Sequence, residues 1–366
     1  MSDHNSKQSV TLHPDCAWLP FDKDSWITKL NDGSLMSFDT ISSVDQEGKE
    51  AWIPCITTSV DEGHTWTEPA EISVAPGTRP DRYAELHLIM QTKSGVLVML
   101  YEDGANMLWE WDSATRRPSA ATREDVWACR SVDGGKTWGG FVQLVAGWCG
   151  ALIDIKQLST GRIVATAMDM LYEHGRHICF TCVSDDDGRT WQRGNHLDLG
   201  GSGHHDGAIE PTIVELNSGR VLMLIRTNLD RFWKAYSDDG GKYWRVLEPS
   251  VIVASSSPGF LLRLASGRIA LVWNRLCAEG ESEPVRFEAD NDYAEVRSSW
   301  QRAELSIAFS SDDARSWSKP VVIARKSEGQ IAYPYMLEPK PGEIWVIARA
   351  PQGVPVNIKL DESKFA

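Results

Sequence analysis

The 366-residue chain has no run of clustered basic side chains: 37 lysines and arginines stand against 51 aspartates and glutamates, a formal charge of −14. Binding successive phosphates needs clustered cations, so a nucleic-acid partner is excluded, and the same reasoning counts against an anionic membrane surface. No apolar stretch approaches the roughly 18 residues that span a bilayer as a helix. The start, MSDHNSKQSV, lacks the basic-then-apolar order of a signal peptide, so a cytoplasmic location is expected. Cysteine is sparse, seven in all, and odd in number. Its one close pair, Cys179 and Cys182, has no second pair to complete a zinc site, and the seven read as free thiols. A helical pattern of useful length is missing as well.

Tryptophan is the residue in excess, 16 copies against nine phenylalanines and eight tyrosines. Such over-use points to a repeated unit. The unit is Ser-x-Asp-x-Gly-x-Thr-Trp, seen as SVDEGHTW from Ser59, SVDGGKTW from Ser131 and SDDDGRTW from Ser184. SDDGGKYW from Ser237 and SSDDARSW from Ser310 are looser copies. Asp and Gly make a tight turn whose carboxylate accepts nearby backbone N–H groups, and the Trp packs beneath a sheet. The box is therefore a hairpin staple, and without a ladder of carboxylates it is not a calcium loop.

A second pattern alternates with the first: an apolar stretch, a small-Gly turn and another apolar stretch. Its six turn glycines are Gly33, Gly95, Gly161, Gly219, Gly267 and Gly342. Each reads as a hairpin of β-strands. Two linked hairpins make a four-stranded antiparallel sheet, and six such sheets make a six-bladed β-propeller, all-β, over a single domain 1–366 with a short polar tail to about residue 10. The last Trp box is missing, so a strand near Val10 to Leu19 is expected to complete the sixth blade and close the ring.

In this geometry, residues about nine before and seven or eight after each turn glycine are cross-strand neighbours on the face around the axis. Before the turns stand Asp24, Glu85 beside Leu86, Glu210 and Tyr333. After the turns stand Asp39, Glu102, Asp169, Arg226, Arg275 and Arg349. Three arginines on neighbouring blades suit an anionic substrate, a carboxylate above all, because guanidinium groups pair it with two parallel hydrogen bonds. A tyrosine becomes a nucleophile when a carboxylate can take its proton, which pairs Tyr333 with Glu210. The glycine-rich run before Glu210 carries His204, His205 and Asp206, groups suited to hydroxyl contacts or to acid/base work. Long connections at 104–125 and 279–302 share this face and are expected to shape a pocket.

These motifs resemble the sialidase (neuraminidase) superfamily and its Asp-box repeat proteins, over a span from about Pro14 to Arg349. EPTIVELNSGRVLMLIR looks like the sialidase segment in which a Glu precedes a strand-turn-strand ending in an Arg. The likeness implies that Glu210 polarises the nucleophile and that Arg226 belongs to an arginine clamp. AYPYMLEPKPGEIWVI looks like the segment bearing the nucleophilic tyrosine, which implies that role for Tyr333. The pattern departs at the first clamp arginine, where Lys23 and Asp24 stand, and at the acid/base loop, which offers Asp45 and Glu47.

The resemblance implies an exo-acting hydrolase on a terminal acidic sugar, needing neither metal nor cofactor, with Arg226, Arg275 and Arg349 holding the carboxylate. A polysaccharide lyase acting on uronic acids and a glycan-binding propeller without catalysis are the alternatives.

Overall fold

The alternation of turn glycines and Trp boxes becomes a ring of antiparallel sheets. The computed structural model describes residues 9–23, 25–44, 50–74, 84–287, 292–349 and 355–365. Among them there is no α-helix, and so no helix long and apolar enough to cross a membrane. Blade one begins with Ile27–Lys29, blade two with Ala84–Gln91, blade three with Ile155–Gln157, blade four with Ile209–Glu215, blade five with Phe260–Arg263 and blade six with Ala332–Lys340. Each first strand pairs antiparallel with the strand after its turn glycine, and the third and fourth strands follow outward. Inner strands of neighbouring blades contact one another around a closed cycle, blade one touching both two and six and blade three meeting blade four through its second strand, so the sheets form a six-bladed propeller.

All six turn glycines have φ between +82° and +93°, and a Cβ added to any of them would meet nothing within 4 Å. They are needed for the left-handed backbone alone. The Trp boxes are staples of one design. In the second copy Ser131 Oγ donates to Asp133 (2.7 Å) and accepts the Gly135 N–H (2.9 Å). The same carboxylate takes the Thr137 N–H (2.9 Å) and hydroxyl (2.6 Å), while Trp138 Nε1 donates to the Gly135 carbonyl (3.0 Å). The looser copies keep the Ser–Asp core: Ala314 stands for Gly at φ +62°, and Trp244 donates instead to Thr181 Oγ1.

Closure comes from the N-terminus, as expected from the missing box. Cys16–Trp18 pairs antiparallel with Val356–Asp361 and is the fourth strand of blade six, so the first and last segments share one sheet. Val10–Leu12 adds a fifth strand to blade five against Val321–Lys326, which the sequence pattern did not indicate.

The axis is filled rather than open. Tyr335 stacks on Trp26 (4.3 Å), and its hydroxyl accepts the Ile27 N–H and donates to the Ser25 carbonyl, joining blade six to blade one. Trp26 Nε1 donates to the Ile89 carbonyl of blade two. On the opposite side, Asp154 is fully buried and takes Lys156 Nζ (2.6 Å), Thr212 Oγ1 (2.8 Å) and the Ile213 N–H (2.9 Å). Thr212 Oγ1 accepts the Leu261 N–H in turn, so blades three, four and five are tied by one buried carboxylate. A charge buried this deeply is tolerated because it is paired and fully hydrogen-bonded.

Deleting residues 1–18 is expected to lower unfolding free energy by about 3 kcal/mol or more, because the edge of blade six then exposes apolar side chains that the closing strand covers. Urea titration of the truncated and full chains checks this; equal midpoints would show that the ring does not depend on that strand.

Candidate active site

On the axial face, blades four and six carry the same local irregularity. Strand pairing runs Ile209 to Arg226 and then jumps to Thr212 opposite Leu224; in blade six it runs Ala332 to Arg349 and jumps to Tyr335 opposite Ile347. The extra residues include Glu210 (φ +50°) with Pro211, and Tyr333 (φ +54°) with Pro334. Proline has no N–H for the ladder and is accommodated where a bulge interrupts it. Non-glycine residues at positive φ are held there against their own preference, and such strain gathers at functional sites.

The two bulged side chains meet across the ring. Tyr333 Oη donates to Glu210 Oε1 at 3.0 Å. Arg226 Nη1 donates to Glu210 Oε2 at 2.6 Å and lies 3.3 Å from Tyr333 Oη, and its Nε and Nη2 reach Ser256 Oγ of blade five. Arg226 is only 2% exposed. Burial by itself would lower its pKa, but the Glu210 carboxylate outweighs that and holds it above the ordinary arginine value. Burial and then the Glu210 charge push the Tyr333 phenol up, against the pull of Arg226 and Arg302, so the resting phenol keeps its proton and offers it to Glu210.

Arg302 completes the group, and sequence offsets missed it. It enters from the long connection of blade five, donates to the Ser256 carbonyl at 2.6 Å, and lies 3.7 Å over the Trp300 ring and 5.8 Å from that of Tyr333. It is 5% exposed, has no carboxylate partner among the described residues, and its Nε is buried without an acceptor. Burial and the neighbouring Arg226 lower its pKa to about 10, which still leaves it cationic at neutral pH. Two buried guanidinium groups against the single carboxylate of Glu210 leave a local positive charge.

The loop His204 to Asp206 lies alongside. Its backbone is pinned by His204 N–H to the Asp292 carbonyl and His205 N–H to the Tyr293 carbonyl, and the His205 ring stacks on Tyr293 at 4.6 Å and 6°. His204 Nδ1 and His205 Nδ1 are 2.6 Å apart. Surrounding protein, then the charge of Arg226, pushes the His205 pKa well down, so the imidazole stays neutral although one edge faces solvent. Asp206 is occupied: its carboxylate takes the N–H groups of Gly207 (2.8 Å), Ser202 (3.2 Å) and Glu295 (3.1 Å), tying this loop to the one that carries Tyr293.

Among the described residues, no hydrogen bond or ion pair joins Arg275 or Arg349 to this group. Arg275 pairs with Glu304 at 3.5 Å, and Glu304 also holds Arg325. Arg349 sits across from Ala332, exposed, with no side-chain partner among the described residues. Glu85 lies opposite Glu102 in blade two, but its side chain is outside the described residues, as are Asp24, Asp45 and Glu47 entirely. Lys23, at the departed first arginine position, is bound to Asp39 at 2.5 Å. Arg275 follows Gly267 by eight residues, close to the seven by which Arg226 and Arg349 follow their turn glycines. In blade five the arginine facing the axis comes instead from just before the third strand, Glu304–Ser310, where SSWQR was the available signal.

Residues 41–346 match the BNR repeat-like domain family. A protein of unknown function from Dyadobacter fermentans is similar in structure, with TM-score 0.63 and 16% identity over 96% of this chain and 98% of that one. So are NanB sialidase of Streptococcus pneumoniae (0.61, 14%, 97% and 70%) and the intramolecular trans-sialidase of Ruminococcus gnavus (0.58, 13%, 100% and 99%). At such identities the likeness is one of fold. No curated protein matches the sequence.

One buried histidine under the loop sets a pH dependence. His177 Nε2 is 2.8 Å from the His204 carbonyl, which can only accept, so Nε2 carries the proton and buried Nδ1 is bare and unpartnered. Burial lowers its pKa from 6.5 to about 4. Above pH 7 folded and unfolded chains are both neutral there. As pH falls below 6.5 the unfolded chain takes up a proton that the folded one refuses, and the difference is complete near pH 4. Stability should therefore fall by about 3 kcal/mol over that window through this residue. Urea midpoints from pH 7.5 to 4 for the wild type and His177→Gln check it; parallel profiles would exclude His177 as the cause.

Proposed function

The chain belongs to the BNR repeat-like domain family and has a sialidase-like propeller fold, and we propose that it is an exo-acting glycoside hydrolase for a terminal sugar bearing a carboxylate. The observation that carries this reading is the buried cluster of Tyr333, Glu210 and Arg226 next to Arg302, a cation with no anion of its own. A substrate carboxylate supplies what Arg302 lacks, and Arg226 can share it from the other side. Tyr333 Oη then attacks the anomeric carbon as its proton passes to Glu210 Oε1. The new C–O bond forms as the glycosidic C–O bond breaks, and the leaving oxygen takes a proton from solvent, to which the attacking water returns one in the second displacement. Water releases the sugar in a second displacement, and the phenol recovers its proton from Glu210.

A neutral tyrosine is a better resting nucleophile here than a carboxylate would be. The substrate carboxylate sits close to the anomeric centre in such a sugar, and an anionic nucleophile would be repelled by it. The raised phenol pKa is consistent with attack only as Glu210 accepts the proton. His204 and His205 are placed to contact hydroxyls of the sugar or of its leaving group. Asp206 is assigned no catalytic part, since its oxygens are spent on backbone N–H groups.

The neutral imidazole of His205 beside Arg226 favours one second reading, elimination from a uronic acid, in which the arginines neutralise the carboxylate and an imidazole or phenol moves protons. Product analysis separates the two, because elimination leaves an unsaturated product that absorbs in the ultraviolet.

Tyr333→Phe should lower kcat on an aryl glycoside of the right acidic sugar by about 1000-fold or more while leaving binding within a few-fold. Unchanged turnover would remove Tyr333 from the mechanism, and binding without turnover by the wild-type protein would favour a lectin-like propeller. Arg302→Met should raise KM roughly 10- to 100-fold, the effect of losing a charge-assisted pair, and should abolish preference for the acidic sugar over its amide. Steady-state kinetics on both sugars measure it.

A further inference from the structure

The connection between the second and third strands of blade two rises on the same face and ends in aromatic side chains that the chemistry at Tyr333 does not use. Trp109 is 37% exposed, and its neighbours Met107 and Leu108 are exposed as well. Three consecutive large apolar side chains in solvent are unfavourable in a free surface loop, yet this segment is firmly built. Leu108 and Arg123 exchange two backbone hydrogen bonds, Ser119 N–H reaches the Glu110 carbonyl, and Tyr172 Oη donates to the Thr122 carbonyl. Arg116 donates to the Ser202 carbonyl at 2.8 Å, which fastens the segment to the histidine loop.

The rings are arranged as a ledge. Trp111 lies nearly parallel to Trp109 (9°, 6.0 Å), Trp148 backs Trp109 at 4.5 Å, and His204 stands edge-on to both Trp109 and Trp111. His204 touches His205, and His205 stacks on Tyr293 beside the arginines. One pair of imidazoles therefore separates the ledge from the cationic pocket, a separation suited to the next unit of a glycan.

We infer that Trp109, backed by Trp111 and Trp148, forms a second sugar subsite that takes a neutral hexopyranose, the leaving-group unit of the acidic glycan whose binding the preceding reading proposes. The C–H-rich face of a pyranose carries the positive edge that meets the negative face of an indole. Charge decides against a second acidic sugar. Glu110 and Asp112 flank Trp109 and are exposed. The three arginines of the segment are engaged, Arg116 with Ser202, Arg117 with Glu173 and Arg123 with Asp125. Arg116 alone lacks a carboxylate partner, and the exposed Glu110 and Asp112 beside Trp109 outweigh that one charge. The subsite thus selects glycans with a single acidic terminus on a neutral chain over homopolymers of the acidic sugar.

The ledge can be tested apart from the acidic pocket. Saturation-transfer NMR with the neutral disaccharides lactose, cellobiose and maltose should show transfer to at least one of them from the wild-type protein and from Tyr333→Phe, and should lose at least two-thirds of it in Trp109→Ala. No transfer in the wild type, or equal transfer in Trp109→Ala, would overturn the subsite. A second arm compares a methyl sialoside with a sialylated lactose: Trp109→Ala should raise KM roughly tenfold for the second alone. If neither acidic compound binds while the disaccharide result stands, the acidic-pocket reading fails and the neutral-sugar ledge survives.

Discussion

Six first strands can meet around one axis only if the polar groups brought there satisfy one another. Asp154 does this for three blades, accepting Lys156, Thr212 and the Ile213 N–H, while Tyr335 and Trp26 do it for the other three. Most of these contacts join neighbouring blades, and the one from Tyr335 to Ser25 and Ile27 joins the last blade to the first, so it forms only when the ring has closed. They also set the height of every first strand relative to its neighbours. The bulges at Glu210 and Tyr333 interrupt the same strand pair of blades four and six, and their side chains come within hydrogen-bond reach although 123 residues of chain separate them. A slipped blade would part them.

The division of labour between the two faces follows from the same geometry. Trp boxes join third to fourth strands and serve only to hold the outer hairpins; their carboxylates are spent within eight residues of chain. The axial face takes the long connections, and these behave differently. One delivers Arg302 and Tyr293, with Trp300 stacked under the guanidinium; the other delivers the tryptophan ledge. Asp206 and Arg116 then lace the histidine loop to both. The cluster thus combines strand residues Glu210, Arg226 and Tyr333 with loops that hydrogen bonds lace to one another.

Charge is distributed with similar economy. The chain as a whole is acidic, at −14. Yet the described site concentrates two buried arginines around one glutamate, and neither His205 nor His177 adds a proton at neutral pH. Ser256 makes that proximity tolerable by presenting its hydroxyl to Arg226 and its carbonyl to Arg302. Like charges held together by neutral acceptors leave the cluster locally positive within an acidic chain, and the proposed acidic-sugar reading rests on that feature.

Much of this was legible in one dimension. Six turn glycines, five boxes and the missing sixth box determine the blade count and the closing strand, because tight turns and hairpin staples are local chemistry that a short motif encodes completely. Glu210, Arg226 and Tyr333 were legible too, since a hairpin places residues at fixed offsets from its own turn. Arg302 and the tryptophan ledge were not; the hairpin offset points to Arg275, which pairs with Glu304. A loop of more than twenty residues obeys no register, so where its side chains arrive depends on what they pack against. Trp300 and Ser256 decide it for Arg302, and His204 for the ledge, through contacts made only in the folded propeller.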